Sequence, residues 1–104
     1  MQAEVRKIRD QIVKEYNPQK IILFGSYAKN CQKENSDADL VVIKNTKDRM
    51  FKRMEKISKV IHSPLGTDVL IYTPKEWQKR VDEEDYFLME IQKTGKIIYE
   101  KNKE

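Results

Sequence analysis

Apolar positions recur at helical spacing at the start of the chain. Val5, Ile8, Ile12 and Tyr16 fall three and four residues apart, which predicts an amphipathic helix over residues 2–16. Asn17-Pro18 should end it, because the residue before a proline avoids helical geometry. Lys20 to Phe24 then breaks the period: a short continuous apolar run, β-branched at its start, reads as a buried strand, and Gly25-Ser26 stops it. A short helix is expected from Ser26 to about Cys31, with Ser26 as its cap. Residues 32–36 are polar and turn-like.

Residues 37–44 read as a second strand. Residues 47–62 read as a longer helix whose apolar stripe is Met50, Met54, Ile57 and Ile61. Ser63-Pro64-Leu65-Gly66 breaks it, and Thr67–Tyr72 reads as a third strand. Thr73 is placed to cap the next helix, with Pro74 at its first position and Glu76 completing a capping box. Further helix is expected over about 83–94, ended by Gly95. Lys96–Glu100 reads as a last strand, and residues 101–104 are expected to fray. The order α-β-α-β-α-β-α-α-β predicts an α/β (α+β) fold: a small mixed β-sheet with helices packed mainly on one face. At 104 residues the chain is read as a single domain, 1–104.

Composition adds a little. Charged residues make up 37% and the net charge is +4, a balance that favours polyanions such as nucleotides. The longest basic stretch, Lys44, Lys47, Arg49, Lys52, Arg53, Lys56 and Lys59, is loose and not dense enough for a nucleic-acid patch, so nucleic acid is not an expected partner. One cysteine, Cys31, excludes a disulfide within the chain and points to a reducing, cytoplasmic setting. The charged N-terminus does not read as a secretory signal, and no apolar run approaches membrane-spanning length.

The chemistry concentrates in Leu23-Phe24-Gly25-Ser26 and, ten residues on, Asp37-Ala38-Asp39. Alternate residues of a strand share a face about 6–7 Å apart, so Asp37 and Asp39 are expected side by side. Paired carboxylates repel unless a cation sits between them, and Mg²⁺ suits one or two carboxylates plus substrate phosphates. Asp68, near the start of the third strand, could join them if that strand lies beside the second. Three carboxylates can clamp two metal ions about 3.5–4 Å apart for an in-line displacement. Gly25 lets phosphate approach the backbone, Ser26 offers a hydroxyl, and Lys29 stands one turn on to add charge.

This block, hydrophobic-Gly-Ser, a gap of ten, then Asp-x-Asp, resembles the signature of the DNA polymerase β-type nucleotidyltransferase superfamily. The short chain is similar to its minimal nucleotidyltransferases, which are often encoded beside HEPN-domain proteins as antitoxins. The resemblance implies the polymerase β-like fold, phosphate binding at Gly25 and Ser26, metal binding at Asp37 and Asp39, and a third acidic position at Asp68. It implies a transferase that uses two Mg²⁺ ions and an NTP, with ATP the expected donor. The reaction would be transfer of AMP to an acceptor hydroxyl, a HEPN partner protein being one acceptor, with release of pyrophosphate. A homo-oligomer is left open. Lys29-Asn30 stands where the family often has Arg-Gly, and the further domain that holds the acceptor in larger relatives is not seen in this sequence.

An alternative of another class is an antitoxin that neutralises a HEPN ribonuclease by binding, without catalysis. His62 reads as a structural residue at a helix end, and Cys31 as an inert thiol. Trp77 and Tyr86-Phe87 read as core or partner surface rather than as a platform for a base.

Overall fold

The computed structural model describes residues 1–102. Helix α1 spans Ala3–Tyr16, strand β1 Lys20–Phe24, α2 Gly25–Ala28, β2 Ala38–Ile43 and α3 Met50–Val60. Strand β3 spans Thr67–Tyr72, α4 Pro74–Asp82, α5 Tyr86–Thr94 and β4 Lys96–Glu100. Residues 101–102 form a turn, and the rest of the predicted frayed tail, 103–104, lies outside the described residues. No helix among the described residues is long and apolar enough to cross a membrane.

The strands form one mixed sheet in the order β3-β2-β1-β4. β1 runs antiparallel to both β2 and β4, whereas β2 and β3 run parallel. A parallel pair needs a crossover of a dozen or more residues, and the segment containing α3 supplies it. This topology puts the end of β1 and the starts of β2 and β3 together at one end of the sheet.

Alternate strand residues divide the interior in two. Ile21 and Leu23 of β1, Ala38, Leu40 and Val42 of β2, and Val69 and Ile71 of β3 join Val5, Ile8, Ile12 and Tyr16 of α1 and Ile57 of α3 in the main core. The opposite face buries a smaller set, Ile22, Val41, Ile43 and Ile91, with Phe24, Leu70, Tyr72 and Trp77 packed against it. The bulk of the core therefore lies on one face, and α4 and α5 shield part of the other.

Local chemistry explains the ends of the elements. α1 stops at Asn17 in the left-handed region, φ 51°, just before Pro18. The Lys44 ammonium donates to the Tyr16 and Asn17 carbonyls at 2.7 and 3.2 Å, satisfying the helix end. The capping box of α4 forms as expected, with Thr73 and Glu76 each bonding the other's backbone N–H.

Two sequence expectations change. α2 is a single turn rather than a helix to Cys31, and its cap position is Phe24, with no side-chain cap bond, so Ser26 lies inside the turn. α3 is rotated relative to the expected stripe. Ile57 is buried, but Met50 and Met54 are 48% and 39% exposed, and Phe51 beside them is 80% exposed. The place expected for an apolar side chain is taken by Arg53, only 6% exposed. Its guanidinium donates to Glu76 Oε1 at 2.7 Å and Oε2 at 3.1 Å, to the Asp48 carbonyl at 2.8 Å and to the Ile71 carbonyl at 3.4 Å. A buried charge is tolerable only when so fully paired.

Candidate active site

The three aspartates come from the two parallel strands, and register decides how they meet. Asp39 pairs with Asp68 directly across the β2/β3 ladder. Directly opposed residues share a face, so these two carboxylates stand side by side on the face opposite the main core. On its other side Asp39 is paired with Phe24, the last residue of β1. One row, Phe24, Asp39, Asp68, thus crosses three strands, and the chain turns at Gly25 next to it. Asp37 sits one residue before β2, exposed, so it is at the strand's entry rather than within it.

Glycines make room for the acids. Gly25 has φ +72°, where a side chain is strained, and a Cβ there would overlap Asp39 Oδ2 and lie 3.2 Å from its Cγ. Gly66, just ahead of β3, faces Asp37: a Cβ on it would overlap Asp37 Oδ1. Gly66 also accepts the Ala38 N–H at 2.9 Å, tying the entries of β2 and β3 together. The part played by Gly66 was not read from the sequence, where it figured only as a helix breaker; a glycine immediately ahead of an acid-bearing strand is the signal that could have shown it.

The electrostatics match this crowding. The Asp39 carboxyl is pushed above the ordinary carboxylate range, first by burial, then by the charges of Asp68 and Asp37 and by a side-chain hydrogen bond with Asp68. Carboxylates this close repel. A proton shared between Asp39 and Asp68 relieves the repulsion, and a divalent cation would relieve it too. Among the described residues no group of three or more His, Cys, Asp or Glu side chains converges tightly enough to enclose an ion. Asp39 and Asp68 are in contact, whereas Asp37 acts on Asp39 through its charge and leans against Gly66. The donor set, oxygen-only and open to solvent at Asp37 and Asp68, fits Mg²⁺, which keeps several waters and needs few protein ligands.

The phosphate-side residues are placed less completely. Gly25 and half-buried Ser26 form the start of α2 beside Asp39. One turn makes little dipole, so free first-turn N–H groups rather than a helix field are what this segment offers an anion. Lys29 follows at the exposed end of the turn, its own N–H donating to the Gly25 carbonyl at 3.2 Å. Much of the basic stretch is committed elsewhere: Lys44 to the end of α1, Arg53 to Glu76, Lys52 to Glu55 and Lys56 to Asp48. His62 is held structurally at the end of α3, where Gln11 bonds both its N–H and its carbonyl.

Comparisons with known proteins bear on the family and the fold. The family described as polymerase beta, nucleotidyltransferase matches residues 6–104. A candidate nucleotidyltransferase from Sulfolobus solfataricus shares the fold, with a TM-score of 0.66 and 21% identity over 96% of this chain and 86% of that one. A toxin–antitoxin structure with AMP-PNP is also similar, with a TM-score of 0.59 and 23% identity over 97% of this chain and 76% of that one. No curated protein matches the chain.

Proposed function

The chain belongs to the polymerase β nucleotidyltransferase family, and we propose that it is a divalent-metal-dependent enzyme that transfers a nucleoside monophosphate, AMP from ATP, to an acceptor hydroxyl. The observation that carries this reading is the in-register pairing of Asp39 with Asp68 beside the Gly25 turn. Two acids are held side by side by the sheet itself, in a place where packing gains nothing from them.

Asp37 and Asp39 would hold two Mg²⁺ ions and Asp68 one of them, and the metal would neutralise charge on the phosphates. Gly25 would let the β- and γ-phosphates approach the backbone, with the Ser26 hydroxyl as a further donor and Lys29 adding charge at the phosphate tail. Asp68, exposed at the edge strand, would accept the proton of the attacking hydroxyl. The acceptor oxygen bonds to the α-phosphorus as the bond to the β-phosphate bridge breaks, and pyrophosphate leaves. Catalysis would be mostly positioning and charge neutralisation. Incubation with labelled ATP, Mg²⁺ and a cell extract tests this. Asp39→Asn should lower incorporation by about a hundredfold or more; equal labelling by the variant would remove the site.

A second reading has its own support. The apolar cluster Met50, Phe51 and Met54 stands exposed on α3, and a similar structure is a toxin–antitoxin complex. The chain could act as an antitoxin that covers a partner protein, a HEPN ribonuclease being the expected kind. The partner would then be a bound target or the acceptor itself. Protection of cells by the Asp37→Asn, Asp39→Asn double variant would favour binding alone; loss of protection with retained partner binding would favour transfer.

A further inference from the structure

The carboxylate row has an aromatic neighbour to which the transfer chemistry assigns no task. Phe24, cross-strand partner of Asp39, shares its face of the sheet. The Phe87 ring from α5 meets Phe24 edge to face, with centroids 5.8 Å apart and planes at 86°. Yet Phe87 remains 53% exposed. It is packed on one side, open on the other, and one strand removed from Asp39.

The backbone that carries it is capped and anchored. Asp85 Oδ1 accepts the Phe87 and Leu88 N–H groups at 3.0 and 3.2 Å, fixing the first turn of α5. Leu88 and Ile91 bury the inner side of the same helix. Phe51 and Tyr86 are also exposed, but the ring packed on Phe24 is that of Phe87. Tyr72 and Trp77 pack on each other at the far end of β3, and Tyr27 is buried in the main core.

We propose that Phe87 is the surface on which the nucleobase of the bound nucleotide stacks, an assignment that rests on the transferase reading above. The base lies on the β1 side of the carboxylates, and its phosphates run toward Gly25-Ser26. This departs from the sequence expectation, which put Phe87 in the core or on a partner surface. Stacking on a phenyl face reads area rather than base edges. The favoured ligand class is therefore a purine nucleoside triphosphate, with little discrimination between adenine and guanine and weaker binding of pyrimidines.

Calorimetric titration of the intact chain with the Mg²⁺ complexes of ATP, GTP, CTP and inorganic tripolyphosphate tests the assignment. Phe87→Ala should weaken ATP and GTP by about five- to a hundredfold while leaving tripolyphosphate unchanged. Phe87→Trp should keep nucleotide affinity. If Phe87→Ala disturbs folding, Phe87→Leu, which still covers Phe24 but has no π-face, should show the same selective loss. Equal weakening of ATP and tripolyphosphate, or no weakening of either, overturns the stacking role while the transferase reading stands. A wild-type chain that binds neither ATP nor tripolyphosphate overturns both.

Discussion

Asp39 and Leu40 are neighbours in one strand, yet they belong to two regions built on opposite rules. Leu40 points into the face covered by α1 and α3, where it is buried with Ile8, Ile12, Val42 and Ile71. Asp39 points into the face that α4 and α5 only partly shield, beside a second acid and a glycine turn. The first face stores stability. The second forgoes some of it, because crowded carboxylates repel and an exposed Phe87 gains little from burial. A strand can serve both because its period of two keeps the demands apart.

Substitutions can break that contrast. The largest effect is expected on the covered face: Leu40→Ala should destabilise the chain by about 2–5 kcal/mol in denaturant unfolding, since the main core cannot collapse around the lost volume. A cost under 1 kcal/mol would mean that this face is not the principal core. Gly25→Ala should have a smaller stability cost, about 1–2 kcal/mol from the left-handed backbone, and should displace the Asp39 carboxylate. Nucleotide binding should therefore fall more than stability does.

The smallest effect concerns acid. The Glu76 carboxyl is held below the ordinary carboxylate range, chiefly by its hydrogen bond with Arg53. A depressed carboxyl stabilises the fold above its unfolded value and loses that contribution as pH falls through the folded one. Acid should thus weaken the wild type more than Glu76→Gln. The difference should be no more than about 1 kcal/mol, because the Glu76 side chain is 45% exposed. Identical acid profiles would show that the pair carries no net stability.

Much of this contrast was legible in the sequence where local rules operate. The period of α1, the apolar run of β1 and the capping box of α4 depend on neighbours within a turn or two, and all three form as read. The Gly-Ser and Asp-x-Asp spacing named residues that the fold brings together at one end of the sheet. What local rules could not supply was docking. The pairing of Asp39 with Asp68 depends on a parallel register across a crossover, which no spacing encodes. Arg53 looked like one of several surface cations, but its burial follows from Glu76, twenty-three residues away. The rotation of α3 follows from the same pair, which left Met50 and Met54 outside. Phe87 was ambiguous because an aromatic beside an acidic turn suits a core, a partner surface or a ligand until the strand beneath it is known.

We propose that the acids at the start of β2 and β3 bind a divalent cation and are kept at some cost to the fold. Thermal unfolding of the wild type and Asp39→Asn, each with and without Mg²⁺, tests it most directly. Removing the repulsion should make the variant more stable without Mg²⁺, by about 0.5–2 kcal/mol. Millimolar Mg²⁺ should raise the wild-type Tm and leave the variant unmoved. A wild type indifferent to Mg²⁺, together with a variant no more stable than it, would contradict the account.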